Sequence, residues 1–412
     1  MKNISYKSSP LKYFLVIFCL FFTAKANSLE LSNYLFYVSI IAILLYLEAL
    51  KKRSIPITKQ LIVILFLITA FTFIQFLVFG RLTLGFLFDR FMLIIATYIV
   101  TKITKLEFFK ILEEILYKLA VISLPLYVLQ LINFNFLQFM IVKVQSVIPF
   151  LVENPNHSNI FIWGYQTQAL SRNQGFMWEP GAFAAILLVG ILINLIFNNF
   201  SLNKKLVFML IALLTTLSTM GYIGLFVLLI FYLYNKRMKY FVISLPIILV
   251  ISAIVINLPF MRNKIIDEYN NVDNKIYDVY NENRSKDMMS LGRMASFKVD
   301  IIDMMQSPIF GLGGNTEAKT TSNSIVVNKT NGLSLFLVTW GLLGFVLLLY
   351  SLIRLFKILL SFNRIKGVIF PVMTILILSF SNNVLQEPVF GVLILFSYFY
   401  KRPILWQKPL TL

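Results

Sequence analysis

The chain has 412 residues, of which 58% are hydrophobic and 13% charged, with a mean hydropathy of +0.81. Soluble domains are near half apolar and a quarter charged, so this composition excludes an ordinary water-soluble globule and predicts a multi-span helical membrane protein. The net charge of +19 does not mark a nucleic-acid partner, because the lysines and arginines lie between apolar runs and form no basic domain.

The first apolar run, Leu11–Thr23, follows Lys2, Lys7 and Lys12. It reads as an uncleaved first span, with a signal peptide ending near Ala24-Lys25-Ala26 as the alternative. It also holds Cys19, the only cysteine, which excludes an intrachain disulfide. Spans follow at Asn33–Leu50, Gln60–Phe79, Leu84–Thr101 and Ile115–Asn133. Beyond a long connector, 134–180, come Gly181–Asn199, Leu206–Thr219, Gly221–Tyr234 and Tyr240–Leu258. A second long connector, 259–331, precedes Gly332–Leu352, Val368–Asn382 and Pro388–Tyr400. The expected architecture is all-α: a single integral membrane domain over 1–412 with about twelve transmembrane helices. Basic clusters at both ends of Leu206–Tyr234 divide it into a hairpin near Met220–Gly221, and the same logic divides Val368–Tyr400 at Asn382–Glu387.

Alternate connectors are basic, as at Lys51, Lys52 and Arg53, at Lys102, Lys105 and Lys110, at Lys204 and Lys205, and at Lys401, Arg402 and Lys408. The positive-inside rule then predicts both termini cytoplasmic and the connectors 134–180 and 259–331 outside. Long ordered connectors are commonly functional. In 259–331 nine basic residues balance nine acidic ones, so it is no polybasic tail. Within it Leu291–Gln306 predicts a helix, with Met294, Phe297, Ile301 and Met304 on one face. Ser307-Pro308 and the turn Gly311-Leu312-Gly313-Gly314 end it.

This topology gathers several charges at the outer ends of the spans. Asp89 and Arg90 lie inside the fourth span, where charge is costly and points to function. Arg81 stands before that span, Arg172 and Glu179 precede the sixth, Arg293 heads the connector helix and Glu387 precedes the last span. Glu179-Pro180 and Glu387-Pro388 each place proline at a helix start and a carboxylate at the positive end of the dipole. For Glu387 a well-started helix is the first reading. Around Glu179, Arg172, Phe176 and Trp178 add an anion site and an amphipathic wall. Arginine forks suit phosphate oxygens, and a nearby carboxylate suits proton transfer from a hydroxyl. No HExxH, CxxC, Walker A or DxD motif is present, and His157 is the single histidine, so no metal site is expected.

At these residues a resemblance enters. Arg172-Asn173-Gln174-Gly175-Phe176-Met177-Trp178-Glu179-Pro180-Gly181-Ala182-Phe183 resembles the R-x-x-G-x-F/W-x-E-P-G-x-F/A stretch of bacterial O-antigen and capsule polymerases (Wzy type). Further likenesses follow in order: Leu217-Ser218-Thr219-Met220-Gly221-Tyr222; Gly292-Arg293 with Ser307-Pro308-Ile309-Phe310-Gly311-Leu312-Gly313; and Asn331-Gly332-Leu333 with Trp340-Gly341-Leu342-Leu343-Gly344. The resemblance spans 171–344; the first half matches only in span count and hydropathy.

The resemblance implies a metal-independent glycosyltransferase of the bacterial inner membrane. It would join undecaprenyl-pyrophosphate-linked oligosaccharides at the periplasmic face, without cofactor. Arg172 and Arg293 would hold the pyrophosphate, and Glu179 would take the acceptor proton or orient Arg172. Arg81, Arg90, Trp178, Asn331 and Glu387 are the expected substrate contacts. Expected partners are the lipid-linked oligosaccharides, membrane lipid, and possible chain-length-regulator and flippase proteins, with no nucleic acid. The related O-antigen ligases carry a functional histidine where this chain has Thr330, which favours polymerase over ligase. A lipid-linked oligosaccharide flippase or other transporter is the remaining alternative, opposed by the clustering of charge at one face.

Overall fold

The computed structural model describes residues 9–26, 32–51, 57–81, 83–148, 151–154, 157–236, 262, 266, 289–315, 319 and 327–400. The expected span Tyr240–Leu258, much of the connector 259–331 and the basic residues Lys401, Arg402 and Lys408 lie outside the described residues. Thirteen helices make up most of the rest. They are α1 (Pro10–Thr23), α2 (Ser32–Lys51), α3 (Lys59–Phe79), α4 (Leu84–Thr104), α5 (Glu107–Ile132), α6 (Phe134–Val147) and α7 (Pro180–Phe197). There follow α8 (Lys204–Thr215), α9 (Thr219–Lys236), α10 (Arg293–Met305), α11 (Gly332–Ser361), α12 (Ile369–Ser381) and α13 (Pro388–Phe399). Helices α3, α4, α5, α7, α9 and α11 are long and apolar enough to cross a membrane, and α1, α12, α13 and most of α2 are shorter apolar helices. Two small sheets accompany them: antiparallel β1 (Val152–Asn154), β2 (His157–Asn159) and β3 (Gly164–Gln166), and parallel β4 (Met289–Leu291) with β5 (Val327–Lys329). The fold is that of an all-α polytopic membrane protein.

Helix α7 is its central pillar. It is apolar on every side and buried along almost its whole length, packed by α5, α8, α9 and α12. Small residues allow the close approach: a Cβ on Gly221 of α9 would meet the Cβ of Ala184 at 2.8 Å. At the far end of α7, buried Asn194 donates to Glu113 Oε1 (2.6 Å), and Lys205 pairs with Glu113 Oε2 (2.9 Å). Lys12 pairs with Glu107 (2.6 Å), Lys102 donates to the Phe399 carbonyl (2.8 Å), and the Lys366 amide donates to Asn235 Oδ1 (3.2 Å). Lys12, Lys102, Lys205 and Lys366, from four of the basic segments, are thus at one end of the bundle, opposite the start of α7. Helix α1 is a packed member of it: Tyr13 donates to Glu114 (2.5 Å), and Thr23 Oγ1 accepts from the Val389 amide (3.1 Å).

Three expectations change. The hairpin in Leu206–Tyr234 turns at Thr216–Ser218, with Leu217 at φ 47°, rather than at Met220–Gly221. Ser218 Oγ accepts from the Gly221 amide (3.3 Å), so serine opens α9, and Gly221 lies inside it to admit α7. The connector 134–180 holds α6 and the three-stranded sheet rather than loop alone. Asn133 caps α6 by accepting from the Phe136 amide (3.1 Å), and Leu137 and Ile141 are its buried face. In α10 the buried residues are Ala295, Ser296, Val299, Asp300, Asp303 and Met304, while Met294 is exposed. Hydrogen bonding decides that face: Ser334 Oγ of α11 donates to Asp300 (2.5 Å), which hydrophobic spacing does not reveal.

Helix α11 is broken at Gly341 (φ 64°, ψ −171°). The segment after α10 fills the break. The Leu312 and Gly313 amides donate to the Val338 and Thr339 carbonyls (2.7 and 3.0 Å), and the Leu342 and Leu343 amides donate to the Pro308 and Ile309 carbonyls (2.8 and 3.1 Å). Irregular backbone at membrane depth is tolerated when its polar groups are paired in this way. Gln75 of α3 donates to the Phe310 and Thr339 carbonyls (2.7 and 3.1 Å) and ties the junction to a third element. The glycine-rich stretch is therefore a docked segment as well as a turn.

Candidate active site at the start of helix α7

The stretch before α7 is shaped by its neutral residues. Asn173 is fully buried; its Oδ1 accepts from the Gly175 amide (2.9 Å) and its Nδ2 donates to Thr215 (2.9 Å). Gly175 is left-handed (φ 53°) and lies against the Phe183 ring, where a Cβ would come within 2.5 Å of Cζ. Phe176 packs edge-on to Phe183 at 5.7 Å. These residues leave Arg172 and Glu179 on either side of a fixed turn.

Glu179 is the extended N-cap residue of α7, with Pro180 at the first helical position. Its side chain makes no cap hydrogen bond. Its carboxylate lies in the field of Arg172 instead. Arg172 Nε donates to the Thr216 carbonyl in the α8–α9 turn (3.0 Å). Burial, and next the nearby Arg293 guanidinium, pull Arg172 below the ordinary arginine pKa, while Glu179 and Tyr222 act the other way. Arg293 is the first residue of α10, and its Nε donates to the Ser381 carbonyl at the end of α12 (3.1 Å). Elements far apart in sequence thus bring Arg172, Glu179, Arg293 and Tyr222 together. Two guanidinium groups in each other's field, partly withdrawn from water, favour a ligand of double negative charge.

Asp89, Arg90, Glu387 and Trp178 belong to an adjoining group. Arg90 pairs with Asp89 (3.1 Å), donates to Gln386 Oε1 (3.2 Å) and stacks over Phe86 (5.2 Å). Glu387 pairs with Lys25 (3.2 Å), whose Nζ also lies 4.5 Å from the centre of the Trp178 ring. Arg81 stands exposed after the Gly80 C-cap of α3. Asn331 is buried as the N-cap of α11: its Oδ1 accepts from the Leu333 and Ser334 amides (both 3.1 Å), and its Nδ2 reaches the Arg293 carbonyl (3.5 Å). Its side chain is occupied in holding α10 to α11, beside the arginine and not in place of it. His157 is half-buried in β2, held below its ordinary pKa by burial.

Lys25 and Tyr222 carry no strong signal of their own in the sequence. Lys25 is a lone cation at the exit of α1, and Tyr222 appears only as the last residue of the Leu217–Tyr222 motif.

Burial pushes the Glu387 carboxyl up, against Lys25 and Arg90, and Asp89 adds to the rise. A raised folded-state pKa means that the stability this group contributes is present at low pH and lost as pH rises through that value. Glu387→Gln should therefore match the native protein in Tm at pH 5 and equal or exceed it at pH 8, measured in detergent. A variant less stable at pH 8 than at pH 5, relative to the native protein, would show that the Lys25 pair outweighs burial.

Residues 205–349 match the family model described as O-antigen ligase. The match is consistent with the O-antigen ligase-like superfamily and supports a membrane function of O-antigen ligase or polymerase type. No curated protein and no solved structure matches the chain significantly. The matched segment begins in α8 and ends within α11, so it includes Tyr222, Arg293, Asn331 and the Gly341 junction. Arg172 and Glu179 lie outside it in sequence and reach it through the Thr216 carbonyl and the shared field of Arg293.

Proposed function

We propose that the chain is a polysaccharide polymerase of the bacterial inner membrane. It joins undecaprenyl-pyrophosphate-linked repeat units at the periplasmic face, as O-antigen or capsule is made. Both termini are cytoplasmic in this reading, and the connectors 134–180 and 259–331 lie outside. The observation that carries it is the convergence of Arg172, Arg293 and Glu179 at the first turn of α7. The arginines bind the diphosphate of the donor and stabilise the charge it gains. A hydroxyl oxygen of the acceptor repeat unit attacks the anomeric carbon of the donor chain. The bond from that carbon to the phosphate oxygen breaks, and its electron pair leaves with the lipid diphosphate. Glu179 accepts the hydroxyl proton and releases it to water. Charge stabilisation rests with the arginines, and the activated donor brings its own leaving group, so the reaction runs without metal. A chain-length regulator and a flippase are the expected protein partners.

Ligation of finished polymer to a lipid core is the second reading, favoured by the description of the matching family. Against it, Thr330 stands where the resemblance places the ligase histidine, and its hydroxyl donates to the Leu291 carbonyl (3.2 Å). A gel of surface polysaccharide from a deletion strain and its complemented parent separates the two. A polymerase leaves one repeat unit on the core and no ladder; a ligase leaves lipid-linked chains and a bare core. Glu179→Gln, at unchanged protein level, should reproduce the deletion pattern. A normal ladder in that variant rejects Glu179 as the proton acceptor.

A further inference from the structure

Asn382, in the turn between α12 and α13, is 2% exposed, and neither its Nδ2 nor its Oδ1 has a hydrogen-bond partner among the described residues. A buried amide left unpaired destabilises a fold, and such a group in a native protein requires a reason. Its position supplies one. A Cβ placed on Gly181, in the first turn of α7, would lie 3.2 Å from Asn382 Nδ2, 3.3 Å from its Oδ1 and 3.6 Å from Arg293 Nη2. The amide and the guanidinium therefore face the same bare glycine, two residues beyond Glu179. Ser381 Oγ and Asn383 Oδ1, on either side, are also buried without partners among the described residues. Arg293 Nε is held by the Ser381 carbonyl, which fixes the guanidinium to the turn that carries Asn382.

We infer that Asn382 binds the sugar joined to the donor diphosphate, an assignment that rests on the glycosyltransfer reading above. The ligand follows from the chemistry of the two side chains. A guanidinium offers only donors and matches a phosphate, whereas a primary amide offers a donor and an acceptor side by side. Carbohydrate returns that pair, through neighbouring hydroxyls or an N-acetyl group; a fully ionised diphosphate returns acceptors alone. With Arg293 on the diphosphate, the adjacent amide meets the first sugar, and glycine at 181, lacking a Cβ, lets the amide and the guanidinium approach the first turn of α7 together.

Binding of two ligands to the purified full-length protein in detergent tests this. One is undecaprenyl pyrophosphate without sugar; the other is the lipid-linked repeat unit extracted from cells lacking this gene. Asn382→Leu keeps the volume and removes both polar atoms. It should weaken binding of the glycan-bearing lipid about tenfold, change binding of the bare diphosphate less than about twofold, and leave Tm equal or higher. Equal weakening of both ligands, no weakening of either, or a marked fall in Tm overturns the assignment. Failure of the native protein to bind either ligand overturns the glycosyltransfer reading and this one with it, a result distinct from any loss confined to the variant.

Discussion

Replacing Arg172 with lysine should remove the polymer ladder even though the positive charge is kept. Arg172 Nε is committed to the Thr216 carbonyl, which fixes the plane of the guanidinium and leaves its two terminal nitrogens for a phosphate edge. A lysine ammonium is a compact point charge without that fork; to satisfy Thr216 it must give up part of its reach to the ligand. Losing one preorganised donor at a developing negative charge slows comparable reactions by about 10²–10³-fold, enough to reduce a ladder to a single repeat. The measurement is the gel of surface polysaccharide, with the variant's membrane level checked alongside. A ladder of native length in Arg172→Lys would reject two-point phosphate binding. Arg293→Lys should behave in the same way, because its Nε is likewise anchored, to Ser381.

The second large effect is structural. Gly311→Ala should leave little folded protein, while Gly80→Ala should be mild. Both glycines have φ of +68°, so both carry the left-handed penalty of about 1–2 kcal/mol for an L side chain. At Gly80 a Cβ meets nothing within 4 Å among the described residues; at Gly311 it would lie 2.6 Å from the Gly341 nitrogen and 2.6 Å from the Val338 oxygen. Those neighbours are backbone and cannot turn aside, so the junction must open, adding about 1–3 kcal/mol as in other overpacked interiors. Size-exclusion monodispersity and Tm in detergent measure the pair. Equal behaviour of the two variants would mean that the contact at Gly341 is not a structural constraint.

Much of this organisation is legible in the chain. The apolar runs and the alternation of basic connectors give most of the described helices, because membrane depth and charge placement act locally on sequence. The proline at the start of α7 and the break between α12 and α13 are visible for the same reason. The α8–α9 turn is misread because glycine at 221 looks like a hinge, whereas it is a contact point with Ala184. The buried face of α10 is misread because its aspartates are buried by hydrogen bonds from another helix. Arg172, Glu179 and Arg293 are recognisable as costly charges at span ends. Lys25, Tyr222 and Asn382 are not: each acquires its place only when distant elements meet, and each is an unremarkable residue type where it stands.

The break in α11 also sets an order on biogenesis. The amides of Leu342 and Leu343 take their carbonyls from Pro308 and Ile309, which the ribosome has already made when α11 emerges. Broken at Gly341, the half-helix 332–340 and the half-helix that follows it leave these amides and carbonyls without partners inside α11. They need the segment 307–313 at the same depth, and Gln75, from a helix inserted far earlier, waiting beside it. The broken span is therefore a joint structure of three pieces of chain, its last half-helix seated on a receptor that its own upstream sequence has built.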